Sequence, residues 1–307
     1  MRRNPWLPQL NNDMPASEAA RRVLVSRFKT VAAALPLALT APDETRHVHK
    51  LRVATRRASA ALKIFRDCLP KKLYSQSCEL LRTVRRSAGE ARNWDVFLDH
   101  LDQSEALQSA PTADTLNFLT GLAFRERDLA QVILVGMAAE RQRELNELWK
   151  LLPGSIKERK GPTVAELSQR MIAEQSDEIA RRIGDDPSSA EERHTLRIAI
   201  KRLRYTIETF AQTIPTDSRE AFLKAAKHLQ DSLGIIHDSH IMAERLTLIE
   251  RSLKLLRPTV LPRLRSGLTR FLREVRQRER VELRKLTAGY RDLANALHAV
   301  EPKIAER

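Results

Sequence analysis

The chain has 307 residues, with 54 Lys and Arg against 39 Asp and Glu, a formal charge of +15. Aromatics make up 5% and glycines number only 9, which argues against an all-β sandwich or barrel with its aromatic strands and glycine turns. Leu, Ala, Arg and Glu dominate, so the chain reads as all-α, and the positive excess calls for a polyanionic partner.

Residues 1–16 read as an N-terminal extension. Met1-Arg2-Arg3 is followed by Asn4-Pro5 and Asn11-Asn12-Asp13 with no apolar run between, so no signal peptide is expected. The longest apolar run, Val31 to Leu39, is interrupted by Pro36, and Val132 to Ala139 is shorter still. Neither approaches the ~20 residues of a bilayer span, so no membrane partner is expected and the expected setting is the cytoplasm. Breakers at Pro36, Pro42, Pro70, Gly89 and Pro111, then at Gly184 to Pro187, Pro215, Gly234 and Pro258, divide each half into about five expected helices. The last helix of each half is expected near 112–150 and 259–297. Asp43 and Ser188 are the expected caps of the second helix of each half, and Thr112 of the last helix of the first. Cys68 and Cys78 form no CxxC and no Cys/His array, so neither a structural zinc site nor a disulfide framework is expected.

The chain repeats itself. His49-Lys-Leu-Arg-Val-Ala-Thr-Arg-Arg57 returns as His194-Thr-Leu-Arg-Ile-Ala-Ile-Lys-Arg202, a shift of 145 residues. At the same shift Phe65 meets Phe210, Ser87 meets Ser232, Gly89 meets Gly234 and Val96 meets Ile241. The expected organisation is therefore two helical bundles from an internal duplication, 17–155 and 163–301, joined by a linker at 156–162 rich in Pro, Gly and charge.

On a helix at 100° per residue, His49, Arg52, Arg56 and Lys63 share one stripe, opposite Leu51, Ala54, Ala58, Leu62 and Phe65. In the second half His194, Arg197, Lys201, Tyr205 and Glu208 lie opposite Leu196, Ala199, Leu203, Ile207 and Phe210, with Arg204 on the flank. Cations one turn apart repel, so a run of them without paired acids invites a functional explanation. Between Arg46 and Arg92 there are 13 basic and 3 acidic residues, whereas Glu191 to Asp238 holds 8 and 7. A third basic block, Arg251 to Lys285, has 12 against 3, with Arg270, Arg273, Arg276, Arg280 and Arg284 on one side of a long helix. His49 and His194 add a hydrogen bond to a phosphate oxygen when neutral and a charge when protonated. His47 with His49, or His237 with His240, lacks the further ligands of a metal site, so no metal or other cofactor is expected. The second repeated segment, 87–96 and 232–241, carries Asp95 and Asp238, expected to cap the next helix or to pair with stripe cations, and its glycines are expected to end a helix or allow a close crossing.

These residues resemble the CHAD family, the conserved histidine α-helical domain. Its His-x-x-Arg-x-x-x-[Arg/Lys]-Arg motif fits at His49, Arg52, Arg56 and Arg57, and again at His194, Arg197, Lys201 and Arg202, followed by Arg204 and Tyr205. Its second motif fits at Gly89 and Arg92 with Asp95, and at Gly234, His237 and Asp238. Asn93 stands where the family usually has Asp, and His240 where a second acid is common. The resemblance implies two helical bundles with pseudo-two-fold symmetry, whose basic faces line a central groove or pore that binds inorganic polyphosphate, and it implies association with polyphosphate granules. The residues expected to bind are His49, Arg52, Arg56, Arg57 and Lys63 with His194, Arg197, Lys201, Arg202, Arg204 and Tyr205; Arg82, Arg85, Arg86 and Lys227 form a second tier. A nucleic-acid partner is the alternative, disfavoured because only Tyr205 interleaves the stripes with an aromatic ring. No enzyme is expected: there is no P-loop, GxGxxG or acidic ladder for paired Mg²⁺ ions.

Overall fold

The computed structural model describes residues 8–41, 44–156 and 161–300. The Asp43 cap, Pro42, the first seven residues, 157–160 of the linker and everything after 300 lie outside them. The described residues form eight α-helices: α1 (Ala16–Thr40), α2 (Thr45–Ile64), α3 (Lys71–Asp102), α4 (Ala113–Ser155), α5 (Val164–Gly184), α6 (Ala190–Thr209), α7 (Thr216–Leu256) and α8 (Leu261–Val300). Among them there is no strand, only an isolated bridge between Pro15 and Thr163.

Each half holds four long helices rather than about five. Gly89 and Gly234 lie inside α3 and α7, which run on without a break. An interior glycine costs a helix only about 1 kcal/mol, and these two helices are packed on both sides of it. The bounds repeat with the sequence: α6 starts and ends 145 residues after α2, and α7 starts 145 residues after α3. Ser189 rather than Ser188 caps α6, because Glu192 stands three residues on and completes a reciprocal capping box. Thr163 and Glu166 do the same for α5. Thr112 stands at the N-terminus of α4 as expected, but its hydroxyl donates to the Ser109 carbonyl (2.9 Å) instead of capping the helix.

Three apolar cores organise these helices. The first joins α1, α2, the start of α3 and the end of α4 around Phe28, Leu51, Leu62 and Leu81. The second joins α5, α6, the start of α7 and the end of α8 around Leu203, Phe222 and Leu293. The third takes the opposite ends of the long helices, Phe97 and Leu101 of α3, Leu119 of α4, Met242 and Leu246 of α7, and Leu268 and Phe271 of α8. The long helices therefore leave their own bundle halfway and enter a shared one.

The halves are stapled at the other end too. Ala16 N–H donates to the Pro162 carbonyl (3.0 Å) and Val164 N–H to that of Met14 (2.8 Å), so α1 and α5 start side by side. Leu10 N–H reaches Gln212 Oε1 at 2.7 Å. Helix α1 contains Pro36 and is, by length and composition, apolar enough to cross a membrane. In this fold Val23, Leu24, Phe28, Val31 and Leu35 fill the first core.

One close approach in the third core is testable. A Cβ on Gly267 would fall 2.2 Å from Thr115 Oγ1, which donates to the Leu264 carbonyl at 3.1 Å. A Cβ on Gly234 would meet nothing within 4 Å. Gly267→Ala is expected to destabilise by about 1–3 kcal/mol through overpacking, and Gly234→Ala to stabilise by roughly 0.5–1 kcal/mol, as read by urea unfolding.

Candidate functional site

The motif helices of the two halves meet each other. Phe65 and Phe210, equivalent under the 145-residue shift, pack edge to face with ring centroids 6.0 Å apart. Beside them Glu208 accepts from Arg57 Nε at 3.2 Å and lies 3.6 Å from Arg204 Nε, so one acid of α6 serves both halves. This contact brings the polar faces of α2 and α6 near enough for Arg56 to act on Arg197 and Lys201, with α3 packed against α2 and α7 against α6.

Between these faces the cations act on one another. Burial, reinforced by Arg56, Arg85 and Arg92, pushes the Arg52 guanidinium down to about 10. Arg52 Nη1 donates to the Arg85 carbonyl at 3.0 Å, and a Cβ on Gly89 would lie 3.2 Å from it. Gly89 thus gives room for the close crossing expected of it, whereas Gly234 has no such neighbour. Arg85 is held below the ordinary arginine value by burial and by Arg56, Arg86 and Arg82. Across the space Arg197 is lowered by burial and by Arg56, with Asp238 opposing. Lys201 is affected most: burial, then Arg197, Arg56 and Arg204, push its ammonium down to about 7. Arg56 acts on cations of both halves and is the meeting point of the cluster. The Nε atoms of Arg56 and Arg197 are buried without a hydrogen-bond partner.

The imidazoles follow the same logic. His49 is lowered by burial and by Arg92, Arg56 and Arg52; His194 by burial and by Arg197 and Lys201. The His237 ring stands 5.1 Å from that of His194 and is pushed down to about 4, chiefly by burial and then by Arg197 and His194. Among the described residues no three His, Cys, Asp or Glu side chains gather as metal ligands.

The second repeated segments also face each other: Asn93 and Val96 of α3 line a cleft with His237, Asp238 and Ile241 of α7. Asp238 caps nothing, since α7 continues to Leu256. Burial raises its carboxyl pKa against the pull of Arg197, His100 and Lys201. Asp95 is buried and accepts from Arg127 Nε of α4 at 2.6 Å, so its partner is not a stripe cation.

The structure therefore brings together His49, Arg52, Arg56 and Arg85 with His194, Arg197, Lys201, Arg204 and Tyr205. Tyr205 is buried, with Arg204 over its ring at 5.1 Å. Arg57 and Arg202 are engaged elsewhere, Arg57 with Glu208 and Arg202 with Glu178 of α5 at 2.7 Å. Lys63 is exposed on the last turn of α2, and Arg86 is exposed on α3. Arg82 and Lys227 are exposed and paired along their own helices, with Glu79 (2.6 Å) and Asp231 (3.0 Å).

Some cations of the site fall outside the stripes. Arg92 and His237 belong to the second motif, whose periodicity gave them no direction. Arg27 of α1 is 5% exposed and pushed down to about 10 by burial, with Arg57 adding to it. Its counterpart 145 residues on is Ile172, so the repeat could not flag it. Arg245 of α7 lies 3.7 Å above the Trp94 ring and 3.2 Å from Glu90, a clasp between α7 and α3.

With this geometry in place the comparisons are decisive on kinship. The CHAD-domain family model matches residues 6–247. The chain belongs to the CHAD-domain family. The CHAD domain from the plant Ricinus communis, a crystal structure, is similar to it at 20% identity with a TM-score of 0.70, covering 96% of this chain and 95% of that one. PptA from Streptomyces chartreusis is similar at 14% identity and a TM-score of 0.70, covering 90% and 99%. A search of curated proteins finds no significant match. The Ricinus communis domain covers nearly all of this CHAD chain, whereas the family match stops before α8 begins.

Glu208 is the acid on which the meeting of α2 and α6 depends. Glu208→Ala leaves Arg57, Arg204 and the buried Arg27 without their shared counter-charge. It is expected to destabilise by about 2–4 kcal/mol, measured by chemical unfolding, with a smaller loss in Glu208→Gln.

Proposed function

We propose that this protein binds inorganic polyphosphate, without turning it over, in the cleft between α2 with α3 and α6 with α7. The observation that carries the reading is the cation cluster around Arg56, which adds to burial in depressing Arg52 of its own half and Arg197 and Lys201 of the other. Such an arrangement is unfavourable alone and becomes favourable when an oxyanion enters. Arg56 Nε and Arg197 Nε lack acceptors that phosphate oxygens would supply. A linear chain of phosphates presents a charge at each unit and matches cations placed along two helices. Membership of a family associated with polyphosphate supports the same choice. The repeated helix bounds and the Phe65–Phe210 contact support a pseudo-two-fold, duplicated origin of the cleft. Association with polyphosphate granules in the cytoplasm belongs to this proposal.

The test is titration with polyphosphates of defined length. Affinity is expected to rise with length and to fall steeply with salt through counterion release. Arg56→Ala/Arg197→Ala is expected to lose about 3 kcal/mol, on the order of a hundredfold. Unchanged binding in that variant, or displacement by single-stranded RNA at equal phosphate, overturns the reading. Orthophosphate release with Mg²⁺ or Mn²⁺ would overturn the absence of turnover.

Lys201 supplies a pH test. Its folded pKa lies near 7, below the ordinary 10.5, so the unfolded chain holds more protons between those values. Stability from this group therefore rises with pH across that window and is lowest at and below pH 7. Lys201→Met is expected to raise Tm by a few degrees at pH 7 and by less near pH 10, while weakening polyphosphate binding. An anion favours the charged ammonium, so binding to the wild type is expected to take up protons between pH 7 and 8. Calorimetry in buffers of different ionisation enthalpy reads this uptake.

A further inference from the structure

Helix α8 carries a second cationic surface that the cleft does not use. Its inner face is set by Leu264, Leu268, Phe271, Val275, Leu293 and Leu297, all buried. At 100° per residue, Arg270, Arg273, Arg280, Arg284 and Arg291 fall within an arc of about 80° on the opposite side. All five are exposed. The ion pairs that α8 forms use other residues: Arg263 with Asp114, Arg278 with Glu274 and Lys285 with Glu282. Among the described residues no carboxylate lies within ion-pair distance of the five. They run along roughly 30 Å of helix at 1.5 Å per residue, a straight row of like charges that repel one another.

The row points away from the cleft. Glu279, on the inner side of α8, lines a small hollow with His194, Arg197 and His237. The body of α8, about 10 Å across, therefore stands between cleft and row. The chemistry of the row selects among polyanions. The aromatic rings of α8, Phe271 and Tyr290, are buried, so no ring is offered for base stacking. The row also lacks the large apolar residues with which an interfacial helix enters a bilayer. An extended phosphate chain needs neither, only guanidinium groups at regular intervals.

We propose that the outer face of α8 is a second polyphosphate track, so that one molecule holds two chain segments on opposite sides of α8 and long polyphosphate links copies of the protein. This rests on the polyphosphate reading of the cleft. The experiment compares the wild type with Arg270→Gln/Arg273→Gln/Arg280→Gln/Arg284→Gln, and with a control of equal charge loss, Arg125→Gln/Arg143→Gln/Lys150→Gln/Arg170→Gln, at positions that are also exposed. Circular dichroism melts verify that all three fold. Titration with a short polyphosphate is expected to show a tight cleft class in all three and a weaker, more salt-sensitive class absent only from the α8 variant. Light scattering with a long polyphosphate is expected to rise for wild type and control, and at least about tenfold less for the α8 variant as its counterion-releasing contacts are removed. Equal scattering by the α8 variant, or equal loss in the control, overturns the proposal. Loss of RNA binding with polyphosphate linking intact overturns it in favour of a nucleic-acid surface. If the tight class is missing from all three proteins, the cleft reading fails and two-site linking fails with it; if the tight class is present and the weaker class survives in the α8 variant, the α8 track alone fails.

Discussion

The structure depends on like charges being held together against their own repulsion. Burial, with Arg56 adding to it, depresses Arg52, Arg85, Arg197 and Lys201, and Lys201 reaches a pKa of about 7. What holds them is apolar burial elsewhere. The motif helices are pinned by Leu51 and Leu62 in the first core and by Leu203 and Ile207 in the second. The long helices continue into a third core that locks the halves. Burial at about 25 cal/mol per Å² is spread over these many side chains, so it outweighs repulsion confined to a few groups. Glu208 offsets part of the charge where α2 and α6 touch.

The two sides of the cleft are not copies in chemistry. The first half offers arginines with few acids. The second replaces one arginine by Lys201, keeps a histidine where the first has His49, and adds His237 and Asp238, all with shifted titration. Arginine stays charged across the ordinary pH range, whereas this second set does not. Both sides thus carry a titrating imidazole, but only the second adds a titrating ammonium, a further imidazole and a carboxylate. The repeated helix pattern thus carries a division of electrostatic labour.

Much of this was legible in the residues. Alternation of apolar and cationic positions at 3.6 spacing gave the inward and outward faces of α2 and α6, and the 145-residue shift gave equivalent helices. That worked because face direction is a local property of a helix. The continuity of α3 and α7 was not legible, because Gly89 and Gly234 look like breaks until the packing on both flanks is known. Nor was the third core, which draws Phe97 and Phe271 from segments far apart in sequence. Arg57 and Arg202 show the same limit. Their position beside the motif is local, but their partners, Glu208 and Glu178, come from other helices and draw them into ion pairs. Arg27 has no counterpart in the repeat and is recruited by tertiary packing alone.

The third core also sets an order of events during synthesis. Phe97, Leu101 and Leu119 belong to the first half, but the residues that cover them, among them Met242, Leu268 and Phe271, are translated last. A nascent first half can gather most of the first core around Phe28 and Leu62, still without Val164, Leu167 and Phe210 of the second half, and it presents a greasy end. That end stays uncovered until α8 has left the ribosome, so the protein matures as a unit and not as two modules in tandem. A ribosome that stalls between the halves leaves a half-folded chain with this surface open to chaperones.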